Sequence, residues 1–229
     1  MFLIGGPGFS GTTLLTLLLN QDPLVCLDEP DFHDPRQSHR GITVLENLFP
    51  SVKFPALPSE PLDFGRAVEF VRECEKVLGK KNLGFKTCDY TFVEYARIYK
   101  DGGFPVICIV RDIRDAMVRE FPSWVTEESM NGTYRLIWRN LSLCDLWFRY
   151  EELVADPASV MNRVSGILGC SLEVLDRWDP ASVHPQMLKL DRHKSLESGI
   201  LSRDRVGIWK TSNRRFSPES HETAKLMGY

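Results

Sequence analysis

The chain has 229 residues, 43% hydrophobic and 26% charged, which is enough material for one domain with a sizeable core. A formal net charge of −3 gives no reason to expect general nucleic-acid binding, although it does not describe any local pocket. The apolar start of the chain is short, broken by glycines and without a basic leader, so it does not read as a signal peptide; nothing later approaches a membrane span.

Residues 1–5 read as a strand that runs into Gly5-Gly6-Pro7-Gly8-Phe9-Ser10-Gly11-Thr12-Thr13 and then into a helix pattern ending at Asn20-Gln21-Asp22-Pro23. Such a glycine turn points successive N–H groups inward, and the helix that begins at Thr12 and Thr13 adds its positive end. The order strand, loop, helix makes an anion cradle, against the plainer reading of a turn that only joins two elements. Gly6 and Gly11 fit the frame of a G-x-x-x-x-G-K-[ST] loop, but Thr12 stands where the lysine belongs. An ordinary ATP or GTP loop is therefore a poor match.

Leu24 to Asp28 reads as a second strand, followed by a proline-rich passage from Pro30 through Pro61 with a short helix around Val44 to Leu48. We read residues 30–62 as an irregular, substrate-facing segment inside a single domain spanning 1–229. Helical spacing covers Asp63 to Leu78, Leu83 to Lys86 is a short interior strand, and Tyr90 to Tyr99 is helical. Pro105 to Val110 is the clearest buried strand, and the polar run Arg111, Asp112, Arg114, Asp115 and Arg119 follows it, at the end of a parallel strand where ligands bind. Helices are expected at 133–145 and 157–169, with a short strand at Leu146 to Arg149 between them. The expected architecture is α/β, with a mainly parallel sheet flanked by helices on both faces.

Ser10-Gly11-Thr12-Thr13-Leu14-Leu15 and Val110-Arg111-Asp112-Ile113-Arg114-Asp115, in this order with three further segments, resemble the sulfotransferases that use 3'-phosphoadenosine 5'-phosphosulfate. The further segments are Gly84-Phe85-Lys86-Thr87, Phe148-Arg149-Tyr150-Glu151-Glu152-Leu153 with Asp156-Pro157, and Arg205-Val206-Gly207-Ile208-Trp209-Lys210. Leu226-Met227-Gly228-Tyr229 is similar to the family's usual last helix. The resemblance implies a P-loop-like sulfotransferase fold and transfer of a sulfuryl group to a hydroxyl of a small molecule or sugar, without nucleic acid, membrane or metal. By the same resemblance Gly8, Phe9, Ser10, Gly11, Thr12 and Thr13 hold the 5'-phosphosulfate, Arg111 and Arg119 the 3'-phosphate, and Arg205, Gly207 and Trp209 form a cofactor loop. Trp209 either stacks on adenine or pins that loop.

Two positions depart from the family. Phe9 replaces the usual Lys or Arg, and Arg119 replaces the usual serine. A phenyl ring cannot support charge on a leaving oxygen, so Lys86, at the end of its strand, is the candidate for the missing cation. Glu29, in Asp28-Glu29-Pro30-Asp31-Phe32, resembles the carboxylate base of one branch of the family, and His33 is the alternative base. Asp28, Glu29, Asp31, His33 and Asp34 crowd together but lack a metal-ligand spacing. Arg149 is expected to fix the last strand, and Trp124, Trp138, Trp147 and Trp178 to fill core or seam positions. The six widely spaced cysteines read as free core thiols of a reducing, cytoplasmic protein. Competing readings are a nucleotide-binding or scaffold protein with impaired catalysis, and a nucleotide-dependent kinase. The acceptor and the oligomeric state are not legible in the residues.

Overall fold

β1 (Phe2–Gly6) is the middle strand of a parallel sheet, ordered β2-β3-β1-β4-β5, with β2 (Leu24–Asp28), β3 (Asn82–Cys88), β4 (Val106–Val110) and β5 (Leu146–Arg149). The computed structural model describes residues 1–28, 38–57, 62–79, 81–118, 123, 125–175, 177 and 201–229. β1 is buried along its whole length, and successive residues feed opposite layers: Leu3 enters one core cluster, Phe2 and Ile4 the other. The first cluster lies under α3 (Phe64–Val77), α4 (Asp89–Asp101), α5 (Ile113–Met117), α6 (Glu127–Arg139) and α9 (Pro218–Leu226). The second lies under α1 (Thr12–Leu19), α7 (Tyr150–Ala155) and α8 (Pro157–Leu168). A two-faced, all-parallel sheet leaves its carboxyl edge as the place where loops can present polar groups.

Local chemistry sets most helix starts. Asp63 accepts from the Arg66 amide at 2.9 Å to open α3, and Asp156 accepts from Ser159 at 3.0 Å to open α8, with Pro157 in its first turn. Thr126 and Ser129 bond reciprocally at the start of α6. That capping box starts α6 at Glu127, and Asn140 ends it by bonding the Leu136 carbonyl at 2.8 Å, so the helix expected at 133–145 lies six residues earlier at its start. The turn 141–143 then leads into β5. α2 (Ser38–Leu48) begins earlier than the short helix expected from Val44. The residues expected to be the last helix, Leu226 to Tyr229, instead follow or end α9; Gly228 turns the backbone at φ 80° and returns Tyr229 toward β5.

β3 also runs past its expected end. Thr87 and Cys88 still pair with Gly5 and Gly6, which puts Lys86 inside the strand rather than at its terminus. β5 is an outer strand whose Trp147 carbonyl accepts from Arg163 at 2.9 Å, while the same guanidinium holds Glu152 at 2.9 Å. The six cysteines form no disulfide, and burial holds the Cys74 thiol up at about 12. Among the described residues no helix is long and apolar enough to cross a membrane.

Close packing at β1 gives a stability test. A methyl group on Gly5 would stand 2.0 Å from Cδ2 of Phe92, a ring only 2% exposed. Gly5→Ala should therefore lower unfolding free energy by about 1–3 kcal/mol in urea titrations, through overpacking. An unchanged midpoint would contradict the packing described.

Candidate functional site

The register brings four strand ends within about a residue of one another: Gly6 pairs with Cys88, Gly5 with Cys108, and Val110 with Arg149. The chain leaving β1 therefore meets the start of α4 on one side and Arg111 on the other. Gly11 adopts φ 105° and a side chain there would press to 2.7 Å from the Tyr150 ring, so only glycine fits without strain. Phe9 and Asp89 also hold positive φ, 65° and 61°, conformations that L side chains rarely adopt. Next to Phe9, the Gly8 amide donates to Asp89 Oδ1 at 2.7 Å. Tyr134, fully buried, donates to the Gly8 carbonyl at 3.2 Å, and burial raises its phenol well above the usual range. The loop is thus gripped at both polar groups of Gly8, which is how a strained backbone persists.

α1 opens differently from α3, α6, α8 and α9. No side chain caps its first turn, and that turn carries no acidic residue. Ser10 is buried, with Oγ unpaired among the described residues. Thr12 Oγ1 lies 3.4 Å from Cys88 Sγ, and Lys86 Nζ reaches Thr13 Oγ1 at 3.5 Å. Lys86 is only 3% exposed, so it is not a solvent-facing lysine. It stands beside the start of α1.

Arg111 is the largest fully buried side chain. Its guanidinium stacks 4.3 Å over the Tyr150 ring and donates through Nη2 to the Arg205 carbonyl, while Nε is unpaired among the described residues. Burial, assisted by the charge of Arg111, lowers the Arg205 pKa. Asp112 accepts twice from the Arg114 side chain, at 3.0 and 2.8 Å. Arg114 in turn lies 3.8 Å over the Trp209 ring. Asp115 accepts from the amides of Gly207 at 2.7 Å and Trp209 at 3.0 Å. Trp209 also meets Phe216 and His221 edge-on.

Arg149 bonds the Met227 carbonyl at 2.8 Å and lies 4.8 Å over Tyr229, fixing the end of β5 as expected. Glu29, His33 and Arg119 lie outside the described residues, as do Trp124 and Trp178 and the side chains of the acidic cluster from Asp28 to Asp34. Asp89, Tyr134 and Tyr150 were missed as parts of the site. Only Tyr150, inside the quoted Arg149-Tyr150-Glu151 segment, carried a sequence signal; the other two become visible through long-range contacts with Gly8.

No protein-family profile matches the chain, and no curated protein does. The sulfotransferase domain of the olefin synthase from Synechococcus PCC 7002 aligns over 100% of this chain and 94% of its own, at 17% identity and a TM-score of 0.58. The fold is of the sulfotransferase type. Mouse sulfotransferase SULT7A1, complexed with PAP, aligns over 98% of this chain and 82% of its own at 14% identity and a TM-score of 0.48. STF9 from Mycobacterium avium aligns over 75% and 64% at 13% identity and a TM-score of 0.41.

Glu151 supplies a pH test of this side of the site. Burial raises its carboxyl pKa, although bonds from the Asp112 amide and the Tyr229 hydroxyl oppose the rise. A carboxylate raised in the folded state weakens folding as pH climbs above its unfolded value of 4.5. The stability difference between Glu151→Gln and the parent should therefore move in favour of the variant between about pH 4 and pH 7. A pH-independent difference in urea midpoints would contradict the shift.

Proposed function

We propose that this protein transfers a sulfuryl group from 3'-phosphoadenosine 5'-phosphosulfate to a hydroxyl of a small molecule or sugar. The observation that carries the reading is the convergence, at one edge of a sulfotransferase-type sheet, of an uncapped glycine loop, a buried lysine and a buried arginine beside a second arginine. Two polar atoms support the fit to an anionic nucleotide: Ser10 Oγ and Arg111 Nε are both buried without a partner among the described residues. In this reading residues 8–13 hold the 5' end through backbone amides and the hydroxyls of Ser10, Thr12 and Thr13. Arg111, Arg119 and the 205–209 loop take the 3'-phosphate, with Trp209 acting by holding the loop against Arg114.

The nucleotide supplies the sulfuryl group when bound; the chain positions it and handles charge and proton. Lys86 places an ammonium beside Thr13, where negative charge on a departing phosphate oxygen needs a donor and Phe9 offers none. Glu29 follows Asp28, whose backbone pairs with Lys86, and we assign it the acceptor proton, with His33 as the alternative base. No metal enters this scheme, since amides, hydroxyls and two cations already oppose the anion. A second reading rests on Phe9, whose side chain packs against the core: a nucleotide-binding protein that has lost transfer.

Calorimetry separates these readings from kinase-like chemistry. The 3'-phosphorylated adenosine 5'-phosphate should bind tenfold or more tightly than adenosine 5'-phosphate, at about 1.5–3 kcal/mol per charged hydrogen bond, and Arg111→Ala should remove most of that preference. Equal affinities in the parent would sink the reading.

Lys86→Met should cut single-turnover transfer at saturating donor by roughly 10²-fold or more while changing donor affinity far less. A parent inactive with every acceptor, together with transfer gained in Phe9→Lys, would favour the second reading.

A further inference from the structure

The 205–210 loop is held in an unusual way. Between it and the rest of the domain lies a cavity of about 420 Å³, lined in part by Glu151, Val206, Trp209 and Tyr229. Trp209 packs on Arg114, Phe216 and His221, and the backbone of the loop is held besides by a few polar bonds. Asp115 makes two of them, and it is 1% exposed. A carboxylate so buried is tolerated only when its oxygens are satisfied, and here each oxygen accepts one loop amide. Neither oxygen is spent on Arg114, whose guanidinium is taken by Asp112 and by the face of Trp209. Upstream, Arg203 donates to the Val154 and Ala155 carbonyls at 2.9 and 2.5 Å. Between these two anchors sits Arg205, its carbonyl on the Arg111 guanidinium.

We propose that Asp115 is a positioning residue: by gripping the amides of Gly207 and Trp209 it fixes Arg205 beside Arg111, so that the two arginines form one preassembled socket for a doubly charged phosphate ester. Holding two guanidinium groups together is unfavourable in the absence of an anion; burial first, and the charge of Arg111 second, lower the Arg205 pKa. The latch supplies the restraint, and the socket favours a phosphate dianion over a neutral hydroxyl at the same position. The proposal rests on the nucleotide reading above, with the 3'-phosphate as the dianion.

The test uses the full chain and Asp115→Asn, which keeps the shape but can accept only one of the two amides. Amide hydrogen exchange at Gly207 and Trp209, without nucleotide, should rise by about tenfold or more. Affinity for the 3'-phosphorylated adenosine 5'-phosphate should fall about tenfold, while affinity for adenosine 5'-phosphate changes less than about twofold. Asp115→Glu, which restores both acceptors on a longer arm, should recover part of the loss. Arg114→Met removes the guanidinium that packs on Trp209 and should give the same selective loss on a smaller scale; it decides the matter if Asp115→Asn does not fold. Equal weakening of both nucleotides, or unchanged exchange in the loop, overturns the proposal. If the parent does not prefer the 3'-phosphorylated nucleotide, the functional reading and its socket both fail, while the exchange result still reports whether Asp115 holds the loop.

Discussion

Burial of β1 on both faces is the constraint from which the arrangement follows. A strand covered by helices above and below has no exposed face on which to carry chemistry, so polar groups collect where the strands end. Because β1 is central, its exit loop has a neighbour on each side: the β3 end with Lys86, Cys88 and Asp89, and the β4 end with Arg111. The glycine loop is placed by topology before any of its own bonds form. Asp89 and Tyr134 then choose its conformation by taking the amide and carbonyl of Gly8.

Electrostatics divides the edge into two halves. On the α1 side, a lysine buried to 3% exposure stands next to an uncapped helix start. On the β4 side, Asp112, Asp115 and Glu151 surround a set of arginines, and each carboxylate is committed to an amide, a guanidinium or a phenol. Those acidic groups hold the cations in place without cancelling the charge of Arg111, which meets a carbonyl and an aromatic face. Positive charge is thus left facing the interior of the site while negative charge is tied into the scaffold behind it.

Much of this was legible in local sequence. The strands at Leu24–Asp28 and Leu146–Arg149 have the bounds that their apolar runs imply, and Asp63, Asp156 and Pro157 mark helix starts by their own chemistry. The start of α6 was missed because its signal is a Thr126–Ser129 box rather than an apolar period. β3 was cut short because Thr87 and Cys88 look like a strand end, yet pairing with β1 extends it. At the site, Arg111 and the glycine loop announce themselves by motif. Asp89 and Tyr134 do not, and Asp115, although inside the quoted motif, gives no sign of its loop partners, since each acts on a partner about 81 to 126 residues away in the chain, a separation at which neither periodicity nor spacing carries information.

The outer strand β5 is short and ends where α7 begins, and one of its carbonyls is already taken by Arg163. That guanidinium is itself tethered by Glu152, so a charged side chain lies along the rim where a foreign strand would otherwise find acceptors. An extended segment from another molecule meets a paired guanidinium at this point of the edge instead of an open carbonyl, which interrupts the row that sheet growth would need. The same arginine that ties α8 to the sheet thus also interrupts the edge beside the exposed Trp147.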